Sequence, residues 1–212
     1  MVNNTYLVSE ANLPHVAPPV KRRPGQHHGD LRAVLLRAGR DLVAESGPRG
    51  FTMAEAARRA GVSVAAPYKH FADREALLVA LAVQGYEEQE RRFSTAIAGA
   101  STPAGQLTAV AQAYVDFAVQ ERALFEVVFG AGLDKSRHPA LAEAGYEVLR
   151  VLLPPAEALR PGAGEALLVS VAALAHGYAV FLLEGLLGPS ADALHTARLR
   201  VQDGVGRLIG RA

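Results

Sequence analysis

Apolar residues recur at helical spacing through most of the 212-residue chain, and no stretch shows the alternation of a half-buried strand. Leu31, Val34, Leu35, Ala38 and Leu42 mark a first helix, with Asp30 placed to cap its start and Gly47-Pro48 to stop it. The stretch TMAE follows, in which Thr52 precedes Glu55 by three positions, so each side chain can satisfy an orphan amide and open a second helix. That helix runs through the small residues Ala56, Ala57 and Ala60 and stops at Gly61, which tolerates a left-handed turn. Ser63 is placed to cap a third helix, and Asp73 a fourth over about 74–93. Two short helices joined by a few residues containing a glycine make the connection that a helix-turn-helix requires.

The segment AGASTPAG breaks the pattern after Ala98 and reads as a joint between domains. Beyond it Leu107, Val110, Ala111, Tyr114, Phe117 and Ala118 form one apolar helical face, and LFEVVF forms a second. Further helices are predicted over about 139–153, then, after the breaker PPAEALRPGAG, over 165–187 and 191–209. The expectation is an all-α protein. It divides into an arm at 1–28, a helix-turn-helix unit with its linking fourth helix at 29–93, and a helical bundle at 103–212.

Residues 166–183 run for eighteen positions without a formal charge, long enough to weigh a membrane span. Ser170, His176 and Gly177 interrupt the run, and no Lys/Arg cluster or aromatic belt flanks it, so a buried helix ranks first. A bundle of this size covers such a helix only in part. A two-fold homodimer through 165–187 and 191–209 would supply the rest, with Ala172, Ala173, Ala175 and Gly177 permitting close approach.

Composition changes this picture little and charge changes it more. The absence of cysteine removes disulfides, thiolate metal sites and cysteine chemistry, and fits a cytoplasmic, reducing compartment. The first twenty residues lack a cationic start and a sustained apolar core, so they read as an irregular arm rather than a secretory signal. Net charge is only +1, yet residues 1–74 carry an excess of five basic residues and 75–212 an excess of four acidic ones. The basic excess lies around the helix-turn-helix. No glycine-rich phosphate loop, nucleophile elbow or metal-binding helix motif occurs, so neither an enzyme nor a cofactor is expected. His27, His28 and Asp30 lack a fourth ligand, and no metal site is expected there.

The stretch FTMAEAARRAGVSVAAPYKHFADREALL after HHGDL resembles the DNA-binding domain of TetR/AcrR transcriptional regulators, over roughly residues 29–81. Its most specific part is GVS followed by YKHF and a capped DREAL segment. HP-LA at His138 to Ala142 and AHG at Ala175 to Gly177 resemble the WHG class, with alanine where that class has tryptophan. The resemblance implies a dimer with N-terminal reading heads and a C-terminal ligand-binding and dimerisation domain. The function expected is a ligand-responsive repressor on a palindromic operator, released by a small, largely apolar effector. The rival is a helical ligand-binding or membrane-associated protein without DNA-binding activity.

Thr52 at a helix start can donate to a phosphate, because the capping bond uses its oxygen as acceptor. Tyr68 and His70 match family positions that meet the phosphate backbone, and Arg74 is a further phosphate candidate. Lys69 reaches either phosphate or guanine, and Phe71 is assigned to the core. Ser63, Val64, Ala65 and Ala66 complete the DNA-facing set, with Val64, Ala65 and Ala66 toward the bases, where apolar groups meet thymine methyls. Lys21, Arg22 and Arg23 in KRRPGQHH either follow the phosphates or form a solubilising tail. Core and dimer packing is the simplest role for the aromatic residues of the bundle, and the resemblance implies a ligand pocket among Tyr114, Phe117, Phe125, Phe129, Tyr146, His176, Tyr178 and Phe181, with Tyr114 and His176 as polar anchors. Pro67 deletes a backbone bond to Ser63 and pushes Ala66 from helical geometry, predicting a tightened opening turn whose proline packs inward or meets a base edge.

Overall fold

The computed structural model describes residues 27–188 and 190–210, with the side chains of 27–30, 190 and 191 left aside. The arm residues Lys21, Arg22 and Arg23 lie outside the described residues. Among the described residues the chain forms eight α-helices and no strand: α1 His27–Ser46, α2 Met53–Arg59, α3 Arg74–Ala98, α4 Pro103–Gln120, α5 Arg122–Gly130, α6 Pro139–Leu159, α7 Gly164–Leu183 and α8 Ser190–Gly210. The all-α expectation therefore holds.

Helix α1 begins at His27, so Asp30 lies inside the first turn instead of capping it. Leu35, Leu36, Leu42 and Val43 bury one face of α1, and Gly39 leaves room for Leu77 of α3, whose Cδ2 would stand 2.7 Å from an added Cβ. Helix α3 is capped by Asp73, whose Oδ1 accepts from the Ala76 amide at 2.8 Å. It continues to Ala98, past the predicted end at 93, because Phe93 is 2 % exposed and anchors its far half in the bundle. The helix thus belongs to both halves, packing on α1 and also on α4, α5 and α6. At its midpoint Gly85 lets α5 approach so closely that a Cβ there would meet Val128 Cγ2 at 2.6 Å.

Helix α6 overruns its expected stop at 153. Pro154 and Pro155 each remove an amide from the ladder, yet their fixed φ is helical, and buried Pro155 and Ala156 keep the last turn on the core. The chain turns only at Gly162, with φ +75°. Helix α7 ends at Leu183, short of the predicted 187, because Gly185 adopts φ +73°. It is long and apolar enough to cross a membrane, but Leu167, Leu168, Val171, Ala175 and Ala179 pack it against α4, α6 and α8. Its other side leaves Val169, Ala172, Ala173 and Phe181 exposed.

Candidate nucleic-acid interface and internal cavity

The reading head is built from capping chemistry. Thr52 Oγ1 accepts from the Glu55 amide at 3.2 Å, and Glu55 Oε2 accepts from the Thr52 amide at 2.7 Å. The Thr52 hydroxyl also donates to Glu55 Oε2 at 2.9 Å, so its hydrogen is engaged rather than free, contrary to expectation. These bonds hold the Glu55 carboxyl below its usual range, the hydroxyl contact acting most. A phosphate would have to take the hydroxyl from this bond. At the other end of α2, Gly61 stands at φ +69° while the Val62 amide donates to Ala57 O and the Gly61 amide to Arg58 O. This paired closure of a helix end fixes the angle at which the chain leaves α2.

The predicted third helix is reduced to a 3₁₀ turn, Pro67–Lys69. Pro67 cannot donate to Ser63, so the Ser63 carbonyl takes the Ala66 amide instead, at 2.9 Å. Ser63 therefore contributes its carbonyl, not a side-chain cap. Ala66 keeps helical angles, φ −63° and ψ −41°, which corrects the expectation that the proline displaces it. The Pro67 ring is fully buried, packing inward, and its carbonyl receives the His70 amide at 2.9 Å and the Phe71 amide at 3.0 Å.

Ser63, Val64, Ala65, Tyr68 and Lys69 are exposed, Ala66 and His70 half-buried. Val64 at 58 % and Tyr68 at 54 % exposure are large side chains without cover in the monomer, four residues apart on one tip. Phe71 is buried as expected, with the Arg32 guanidinium 5.4 Å over its ring. Arg74 braces the head from within: its Nη1 donates to Pro48 O at 2.6 Å, and its guanidinium lies 5.8 Å over Phe51. A phosphate role for it competes with that clamp.

Between head and bundle, Glu75 at the start of α3 meets His138 Nε2 at 2.7 Å, and Arg40 of α1 pairs with Glu121. Arg92 joins the same corner, donating to Glu88 at 2.5 Å and Gln120 at 2.8 Å.

Inside the bundle lies a mostly apolar cavity of about 470 Å³ between α3, α4, α6 and α7. Of the predicted ligand set, Tyr114, Phe129 and His176 line it. Phe117 and Phe125 are buried in the surrounding core, Tyr146 and Phe181 are exposed, Tyr178 is half-buried, and none of these five lines the cavity. Sequence reading missed Tyr86, Gln89 and Phe93 on α3 and Lys135 in the loop before α6. The signal for the first three was present: they recur at i, i+3 and i+7 with a polar residue on an apolar stripe.

Tyr114 Oη and His176 Nδ1 are 2.8 Å apart. Burial raises the phenol pKa and lowers that of the imidazole. Phe129 and His176 also line a second cleft, of about 420 Å³, on the side of Gly47, Pro48 and Arg49. One aromatic wall thus separates the cavity from the α1–α2 loop that Arg74 holds.

Comparison with known proteins agrees with this architecture. Residues 35–81 match the profile of "Bacterial regulatory proteins, tetR family", and residues 107–203 that of "Tetracyclin repressor-like, C-terminal domain". No curated protein matches significantly. A Rhodococcus sp. RHA1 protein of unknown function is 30 % identical, with 86 % of this chain and 98 % of that one aligned at a TM-score of 0.71. A tetR-family regulatory protein from Rhodococcus RHA1 aligns over 86 % and 98 % at 20 % identity, TM-score 0.68. The Bacillus subtilis regulator FadR, solved with stearoyl-CoA, aligns over 82 % and 97 % at 15 % identity, TM-score 0.66. With both halves matched in order and the helix-turn-helix in place, the chain belongs to the tetR family of bacterial regulatory proteins.

Proposed function

We propose that the protein is a repressor that binds a roughly palindromic operator as a homodimer and is released by a small, largely apolar effector. The observation that carries this reading is the shared wall: Phe129 and His176 face the cavity on one side and the α1–α2 loop cleft on the other. A guest that moves this wall changes the seat of Pro48, which Arg74 ties to the start of α3. The head then shifts relative to the bundle, and two heads in a dimer lose the spacing that successive major grooves demand.

The domains divide at 29–93 and 103–212, with α3 as the shared member. The exposed apolar residues of α7 and Leu199 of α8 supply a self-complementary face for the dimer. The tip contacts DNA through Tyr68 and Lys69 on the backbone and through Val64 and Ala65 at the base edges. With no Asn, Gln or Arg on that tip, readout rests on thymine methyls, on Lys69 and on DNA shape. The stearoyl-CoA bound by Bacillus subtilis FadR offers a precedent for a guest with a large apolar part on this fold.

The test titrates the protein against its own upstream DNA and a scrambled duplex at several salt concentrations. A steep salt slope with clear preference for the upstream DNA is expected. Equal binding to both refutes the reading. Replacing thymine by uracil at the contacted steps should weaken binding, and no loss at any step removes the methyl contacts.

A further inference from the structure

Gln89 stands out in the cavity wall. It is 2 % exposed, and its Nε2 has no hydrogen-bond partner among the described residues. A buried donor left unmade weakens a fold, and an apolar side chain of similar size would fill the same place without that cost. Gln89 lines the cavity between Tyr86 and Phe93, on one face of α3.

Lys135 is the one charged residue of this lining, and no carboxylate faces it there among the described residues. It is exposed and therefore stands at the mouth, its Nζ 4.7 Å from the ring centroid of Tyr86. Tyr86 precedes Gln89 by three residues, about 4.5 Å along the helix axis, so cation and amide flank the same tyrosine of the wall. The remaining polar pair, Tyr114 and His176, is satisfied internally at 2.8 Å. The rest of the wall is hydrocarbon: Leu107, Val110, Val148, Leu152, Leu168 and Val171.

We infer that the cavity takes an organic monocarboxylate with an apolar body, its carboxylate accepting from the Gln89 amide and pairing with the Lys135 ammonium. A neutral acceptor would satisfy the amide alone. The anion satisfies both groups, and the hydrocarbon wall receives the remainder. The volume sets the scale at about fifteen non-hydrogen atoms, allowing roughly 30 Å³ for each water-sized unit. This inference rests on the effector reading above and names the chemical class of the effector.

Isothermal titration of the full chain without DNA, at pH 7.5, separates the contributions with three probes of equal length: decanoate, decanamide and decan-1-ol. Decanoate should bind at least tenfold more tightly than the alcohol, with the amide between them. Gln89→Leu should weaken the acid and the amide more than the alcohol, whose oxygen is the poorer acceptor. Lys135→Met, which keeps the apolar stem, should bring decanoate down to the amide. Circular dichroism confirms that both variants fold. The inference is overturned if the alcohol binds as well as the acid, if no probe binds, or if neither variant moves the ratios. Since no DNA is present, a chain that prefers the acid but ignores its upstream DNA keeps this inference and loses the regulator reading. One that binds its upstream DNA but prefers the alcohol does the reverse.

Discussion

The reading head and the bundle use opposite means to reach a defined structure. In the head, short elements are fixed by local bonds between neighbours in sequence: the Thr52–Glu55 box, the closure at Gly61, the Asp73 cap. In the bundle, long helices with few caps are placed by contacts between distant residues, such as Phe93 on Tyr114 and Arg198 on Asp116. Each short element of the head thereby depends on one particular capping side chain or glycine. The bundle encloses a space whose walls are side chains, and side chains move more cheaply than capped turns.

That contrast is open to attack at several points. Phe71→Ala should do most damage, costing about 3–5 kcal/mol because it empties the small core under the tip. Chemical denaturation should show a large loss of stability, and a loss below ~1 kcal/mol would mean that the head does not depend on its core. Lys69→Ala comes next: operator affinity should fall about tenfold at moderate salt. A uniform fall with a salt slope smaller by about one marks a phosphate contact, and relaxed preference at one position marks guanine. Thr52→Ala should cost ~1 kcal/mol through the lost cap, visible in the same denaturation curves.

Gln89→Leu should act with the opposite sign, stabilising the free protein by about 1 kcal/mol, since it removes the unmet amide. A destabilised variant would show that the amide serves packing. The smallest effect concerns acid. Burial lowers the His176 pKa in the folded state from its ordinary 6.5, so the unfolded chain takes up the proton first. Stability from this group is therefore full above about pH 6.5 and declines as pH falls below it. His176→Gln should flatten the fall in melting temperature between pH 7.5 and 5.5 relative to the parent chain.

Much of the head was legible because its signals are local. A threonine three residues before a glutamate specifies a capping box with no knowledge of the rest of the chain, and the helix starts at Thr52 and Asp73 follow from such spacings. The proline was legible in part. Its missing amide predicted the tightened turn, but the angles of Ala66 and the inward seat of the ring depend on what α2 offers beneath it. Arg74 looked like a phosphate ligand because only the fold brings Pro48 O within 2.6 Å of it.

In the bundle the balance reverses. Hydrophobic periodicity placed the helices but not all of their ends, since the Pro154–Pro155 stop is overridden by burial at 155 and 156. Of the eight residues that aromatic content pointed to, Tyr114, Phe129 and His176 line the cavity and five do not, because an aromatic residue on an apolar face packs in a core as readily as around a space.

By itself, then, the sequence determined the helical class, the order of the elements, the helix-turn-helix and the charge contrast between the two halves. These follow from spacings of a few residues and from composition. The tertiary structure decided where the space is. It joined Gln89 of α3 to Lys135 of a loop forty-six positions away, and set one wall against both cavity and head. Such a site is the gap between helices from distant parts of the chain, and no local pattern encodes the shape of a gap.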